Sequence, residues 1–138
     1  MHGSCVSRNG QAVLLVGPSG CGKSDLVLRL LARGFALVAD DQVEVRDGVA
    51  ACPHRLSGLL EVRGLGIVQL PPAPPAHLAL VADLGGRDDR LPAPRLHPEL
   101  GLPVVQIDAN APSAADRVAL ALDCVLGQVG QVAGFCAA

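Results

Sequence analysis

The chain has 138 residues, half of them apolar and 17% charged, enough for one sizeable core and too few for a second full domain to be expected. A formal net charge of −2 offers no basic field for nucleic acid, and the apolar runs are too short and too often interrupted to span a bilayer. The start, Met1-His2-Gly3, lacks the charged and apolar regions of a secretory signal, so a cytoplasmic location is expected. Cys5, Cys21, Cys52, Cys124 and Cys136 form an odd set without metal-ligand spacing, which favours free thiols over disulfides or zinc.

In chain order, two β-prone runs at residues 4–7 and 11–16 flank Arg8-Asn9-Gly10, and Asn-Gly between such runs is a strong hairpin signal. The second run leads into Gly17-Pro18-Ser19-Gly20-Cys21-Gly22-Lys23-Ser24, the G-x-x-x-x-G-K-[ST] pattern of a P-loop, and then into Asp25-Leu26-Val27-Leu28-Arg29-Leu30-Leu31. Strand, glycine loop and helix in that order suit phosphate binding. Glycines let backbone N–H groups point at phosphate oxygens with no Cβ in the way, and the helix N-terminus adds partial positive charge. Lys23 is expected to face solvent in the empty loop and to reach the β- and γ-phosphates of ATP, with the Ser24 hydroxyl a ligand to Mg²⁺. A thiol at Cys21, among those N–H groups, is a candidate for oxidation. The helix is expected over residues 22–33, with Leu26, Leu30 and Leu31 on its buried stripe and Gly34 as its left-handed cap.

Residues 35–39 read as a buried strand ending at Asp40-Asp41, and the carboxyl ends of parallel strands are where phosphates and metal collect. A second hairpin is expected around Asp47-Gly48, which adds antiparallel strands and points to a mixed sheet. Residues 59–68 read as one strand with a bulge, carrying Glu61 and Arg63 between apolar residues, with Gly64 and Gly66 allowing close backbone approach. Pro71-Pro72-Ala73-Pro74-Pro75 is a stiff connector. Residues 78–82 resume as a strand that ends at Asp83, and residues 84–103 form a long loop holding Arg87, Arg90 and Arg95. Arginine in such a loop is a candidate for stabilising charge on a transferring phosphoryl group. A last strand at residues 104–107 precedes a helix that Ser113 can cap and that runs to about residue 126, with Asp116 near its start. The glycine-rich tail from about residue 127 is expected to fray.

Four segments together resemble the C-terminal catalytic domain of HPr kinase/phosphorylase: His2-Gly3, the loop at 17–24, Leu37-Val38-Ala39-Asp40-Asp41, and Leu60-Glu61-Val62-Arg63-Gly64-Leu65-Gly66-Ile67. The last is the most specific, and the match is expected to reach about Asp108. The resemblance implies that the loop binds ATP, that Ser24 and Glu61 are Mg²⁺ ligands, that Asp41 accepts the proton of the target serine, and that Asp40 orders the metal's water shell. It implies further that His2 lies near the phosphates and that Arg90, in Asp89-Arg90-Leu91, is the catalytic arginine. Near residues 107–115 no basic P-x-R-P-G-R-N-like segment is present, so kinase activity is better supported than phosphorylase activity. The family assembles as hexamers through this domain, so a homo-oligomer is implied.

The expected protein is therefore an α/β P-loop domain with a mixed sheet, spanning residues 1–138, that uses ATP and Mg²⁺ to phosphorylate a serine of HPr or an HPr-like carrier. A small-metabolite kinase and a nucleotide-sensing module without transfer activity are the alternatives. The adjacent carboxylates at Asp40 and Asp41 weigh against a sensor, because binding alone needs no base.

Overall fold

Residues 12–16 are continuously apolar, and successive side chains of a strand divide between the two faces of a sheet, so both faces there are apolar. The computed structural model describes residues 1–86 and 89–137. β1 (Ser4–Arg8) and β2 (Gln11–Val16) form the expected antiparallel hairpin, closed by Asn9 and Gly10 at left-handed φ of 53° and 78°. Val13 and Leu15 face one core while Ala12 and Leu14 face the other, all fully buried.

After the glycine loop comes α1 (Lys23–Leu31), which buries Leu26, Val27 and Leu30, with Leu31 only partly covered. β3 (Ala36–Ala39) pairs antiparallel with β1 and so runs in the direction of β2. β4 (Glu44–Arg46) and β5 (Val49–Ala51) form the second expected hairpin. β6 (Leu59–Val62) and β7 (Gly66–Gln69) pair with each other as a separate two-stranded sheet. β8 (Ala76–Asp83) lies parallel to β2, and its outer edge is shared by β5 near its start and by β9 (Val104–Gln106) at its end. The large sheet has the order β3-β1-β2-β8-β5-β4, with β9 on β8. It is the mixed sheet expected, because hairpins supply antiparallel neighbours while β2 and β8, far apart in the chain, pair in parallel.

One face of that sheet is covered by α1 and by α2 (Ala114–Val125), which bring Leu26, Leu30, Val118 and Leu122 against Val13, Leu15 and Leu80. The other face is covered by Val43 and by the partly buried Leu100 and Leu102 of the long loop. Leu80 sits fully buried at the centre of the first core. Leu80→Ala is expected to lower the unfolding free energy by roughly 2–5 kcal/mol, measured by denaturant titration, because the rigid sheet around it relaxes little into the space left.

Three features depart from the sequence reading. Residues 59–68 are a hairpin, with Gly64 and Gly66 at φ of 86° and 117° around its turn. No heavy atom lies within 4 Å of where a side chain would stand at either glycine, so they serve backbone reversal and not close approach. Ser113 stands at the N-cap of α2 but makes no capping hydrogen bond, while Asp116 in the first turn pairs with Arg33 of the segment after α1 at 2.7 Å. The tail after α2 is anchored near its end, since Phe135 is buried in the first core.

Candidate functional site

The carboxyl ends of β2, β3, β8 and β9 point the same way, and the glycine loop opens from one of them. At Gly17 a side chain would lie 2.8 Å from Cys21 Sγ and 3.3 Å from Leu84 Cβ, so the loop closes on itself only with glycine there. Gly22 takes φ 101° at the N-cap of α1 with no side chain capping the first turn, which leaves that end of the helix to backbone donors alone. Pro18, Ser19 and Gly20 are exposed, and Ser24 is half-buried in the first helical turn. Lys23 differs from the expectation of a solvent-facing side chain. It is half-buried, and its ammonium donates to the carbonyls of Gly17 at 2.7 Å and Pro18 at 3.2 Å, with Cys21 Sγ 3.9 Å away. Those carbonyls satisfy donors that would otherwise face water, and a phosphate oxygen would have to replace them.

Asp40 and Asp41 directly follow β3, two strands from the loop, a separation of roughly 10 Å at the usual strand spacing. The intervening strand supplies the link. Ser4, nearly fully buried at the start of β1, donates its hydroxyl to Asp40 Oδ1 at 2.9 Å, and the Glu61 N–H approaches Asp40 Oδ2 at 3.4 Å. Asp40 is thereby oriented through both oxygens, and the β6–β7 hairpin is tied to the end of β3. Asp41 differs. Its side chain is 71% exposed, its φ is 72°, and His2 Nδ1 lies 3.5 Å from its Oδ1. A left-handed conformation at a non-glycine residue costs energy and persists only where its surroundings enforce it. Here the Gly3 N–H donates to the Asp41 carbonyl at 3.1 Å, the Gln42 N–H to the Asp40 carbonyl at 2.9 Å, and His2 bridges Gln42. His2 is therefore held beside Asp41 by an isolated bridge to Gln42, and the Val43 N–H donates to the Met1 carbonyl at 2.9 Å.

The long loop distributes its arginines unevenly. Arg87 lies outside the described residues, and Arg90 is exposed with no ion pair to a described residue. Arg95 instead reaches Asp83 Oδ2 at 3.4 Å. Asp83 and Ser4 are the polar groups at this end that sequence reading left without a role; Asp83 carried a signal, an apolar run closing on a carboxylate. Among the described residues no three His, Cys, Asp or Glu side chains converge on a metal position. Mg²⁺ bound with a nucleotide takes one or two protein oxygens and completes its shell with phosphates and water, so it requires no such cluster. An open groove of about 880 Å³ runs along β4, lined by Met1, Val43, Glu44, Arg46, Asp47 and Glu99, and includes none of the candidate site residues. Among the described residues no helix is long and apolar enough to cross a membrane.

Among known families, the HPr serine kinase C-terminal domain matches residues 1–72. The HPr kinase/phosphorylases of Clostridium novyi (strain NT) and Lacticaseibacillus casei (strain BL23) are each 48% identical to this chain over 75 residues, covering 51% of it. Those matches span 24% of each relative's length, so the chain corresponds to about a quarter of the curated relatives it resembles. The solved structure of the Hpr(Ser) kinase/phosphatase from Coxiella burnetii superposes with a TM-score of 0.68 over 93% of this chain and 88% of that one, at 22% identity. At that identity the likeness is one of fold. The family match stops at residue 72, short of Asp108, while the likeness of fold runs through nearly the whole chain.

Proposed function

This chain belongs to the HPr serine kinase C-terminal domain family, and from that premise we propose that it is an ATP-dependent protein serine kinase acting on HPr or an HPr-like phosphocarrier. Its role would be the regulation of carbon metabolism or of the phosphotransferase system, in the cytoplasm. The observation that carries the reading is the gathering of Asp40, Asp41, His2 and the Glu61 backbone at the end of the sheet from which the glycine loop opens.

In this mechanism the loop acts as a phosphate-binding loop. Backbone N–H groups of the loop, other than at Pro18, and the Lys23 ammonium would hold the phosphates of ATP, and the Ser24 hydroxyl and Glu61 carboxylate would hold Mg²⁺. The metal, when bound, neutralises charge on the β- and γ-phosphate oxygens. Asp41, exposed toward an incoming protein, accepts the hydroxyl proton as the target serine oxygen bonds to the γ-phosphorus and the bond to the β–γ bridging oxygen breaks, releasing ADP. Asp40, held by Ser4 and the Glu61 N–H, orders the metal's water shell. Arg90 closes over the transferring group from the long loop. A homo-oligomer, hexameric in the family it resembles, belongs to the same proposal.

Two measurements follow. Glu61→Gln should raise the Mg²⁺ concentration needed for half-maximal turnover roughly tenfold or more with kcat at saturation largely kept, since a ligand to the metal is removed. Unchanged Mg²⁺ dependence would remove Glu61 from the metal site. Because residues 107–115 lack the basic segment associated with dephosphorylation, release of phosphate from phosphoserine-carrier by inorganic phosphate should be slow beside the forward reaction. Rapid phosphate-dependent release, followed by phosphoserine loss, would show the missing segment to be dispensable.

A further inference from the structure

The β6–β7 hairpin has one face in the core and one in solvent. Residues opposite each other in an antiparallel ladder share a face, so Leu60 and Val68 point one way and Glu61 and Ile67 the other. Leu60 is fully buried in the first core, and the partly buried Val68 packs against it. On a solvated face the usual alternation puts polar side chains. Here Ile67 is 70% exposed directly across from Glu61, and Leu65 in the turn is 77% exposed. Arg63, in the same turn, is exposed and makes no ion pair with a described residue. The tip projects into open space, since nothing lies within 4 Å of where a side chain would stand at Gly64 or Gly66.

This tip stands beside the candidate site. The Glu61 N–H approaches Asp40 Oδ2, and the Ile67 side chain starts about 5 Å from that of Glu61 at the usual cross-strand spacing. Phosphates and Mg²⁺ are held by charge and hydrogen bonds, so two exposed branched side chains serve neither. A small-metabolite acceptor needs a concave pocket, whereas the tip is convex, and the two grooves of about 880 and 380 Å³ include neither Leu65 nor Ile67. A protein surface can cover such a tip and bury its apolar side chains. We propose that Arg63, Leu65 and Ile67 form the docking surface for the protein acceptor, which presents an apolar patch with a carboxylate beside it, next to the target serine. The assignment rests on the protein-kinase reading above and names the part of the chain that selects a protein over a small metabolite. Leu65 and Ile67 supply affinity through burial, and the unpaired charge of Arg63 complements the acceptor's carboxylate and steers its approach.

The test is steady-state kinetics with purified HPr as acceptor, its concentration varied separately from that of Mg-ATP. Ile67→Thr keeps a β-branched strand former and should raise the KM for HPr roughly tenfold or more, with the KM for Mg-ATP and kcat at saturating HPr kept. Leu65→Ser should act in the same direction. Arg63→Gln should raise the KM for HPr at low ionic strength, the difference closing as salt is added. An unchanged KM for HPr in both apolar variants overturns the docking surface and leaves the kinase reading standing. If these side chains only brace the hairpin that carries Glu61, kcat and the Mg²⁺ requirement change along with the KM, and the docking role is overturned. A raised KM for Mg-ATP alone would place the nucleotide against the tip and overturn it as well. So would loss of a wild-type oligomer in either apolar variant, read by light scattering, with the KM for HPr unchanged, since the tip would then join copies of this chain. Absence of transfer from the wild type to HPr would remove the kinase reading and the docking surface together. Should Ile67→Thr fail to fold, Leu65→Ser decides, because Leu65 lies in the turn, outside the ladder.

Discussion

Asp41→Asn should lower kcat by roughly 10²–10⁴-fold while leaving the KM for Mg-ATP nearly unchanged. A group that only receives the serine proton contributes mainly in the transition state, whereas a metal ligand contributes also to ground-state binding. The surroundings of the two neighbouring carboxylates argue for this division. Both oxygens of Asp40 are engaged by Ser4 and by the Glu61 N–H, which suits a fixed orienting group. Asp41 is held by its backbone in a left-handed conformation while its carboxylate stays 71% exposed beside His2, which suits a group that meets an incoming hydroxyl. Steady-state kinetics of Asp41→Asn and Asp40→Asn separate the roles. Near-normal turnover in Asp41→Asn with loss in Asp40→Asn reverses the assignment, and normal turnover in both removes general-base catalysis from the account.

Lys23→Ala should weaken ATP binding roughly 100-fold or more with the fold intact, because two charge-assisted hydrogen bonds to phosphate are lost at about 1.5–3 kcal/mol each. The half-buried position of Lys23 gives this variant a second effect. Its ammonium holds the Gly17 and Pro18 carbonyls in the free protein, so the substitution also loosens the loop before nucleotide arrives. Calorimetry on the variant measures the affinity, and hydrogen exchange of residues 17–22 measures the loosening. Wild-type affinity in Lys23→Ala would dissociate the loop from phosphate binding.

Much of the fold near the site was legible because it rests on local chemistry. Asn9-Gly10 and Asp47-Gly48 close hairpins through their own backbone preferences, and the loop at residues 17–22 precedes its helix as the glycine spacing indicates. What was illegible depends on partners distant in the chain. Ser4 orients Asp40 across 36 residues, and Asp83 owes its place to a parallel register with Val16 and to Arg95. The β6–β7 reversal was hidden because apolar residues continue on both sides of Arg63-Gly64-Leu65, a turn without the two-residue Asn-Gly signal. In the tail, small residues suggested fraying, yet one of only two phenylalanines in the chain, Phe135, finds a place in the core. Lys23 reads as solvent-facing in an empty loop, whereas the Gly17 and Pro18 carbonyls accept from it in the folded chain.

Transfer of phosphate from ATP to an HPr-like carrier is the decisive measurement. The protein is incubated with γ-labelled ATP, Mg²⁺ and purified carrier, and the labelled product is mapped by mass spectrometry. Label is expected on one serine of the carrier, dependent on Mg²⁺ and abolished in Lys23→Ala. Tight ATP binding with no label on any carrier, or label transferred only to a small metabolite, would contradict it.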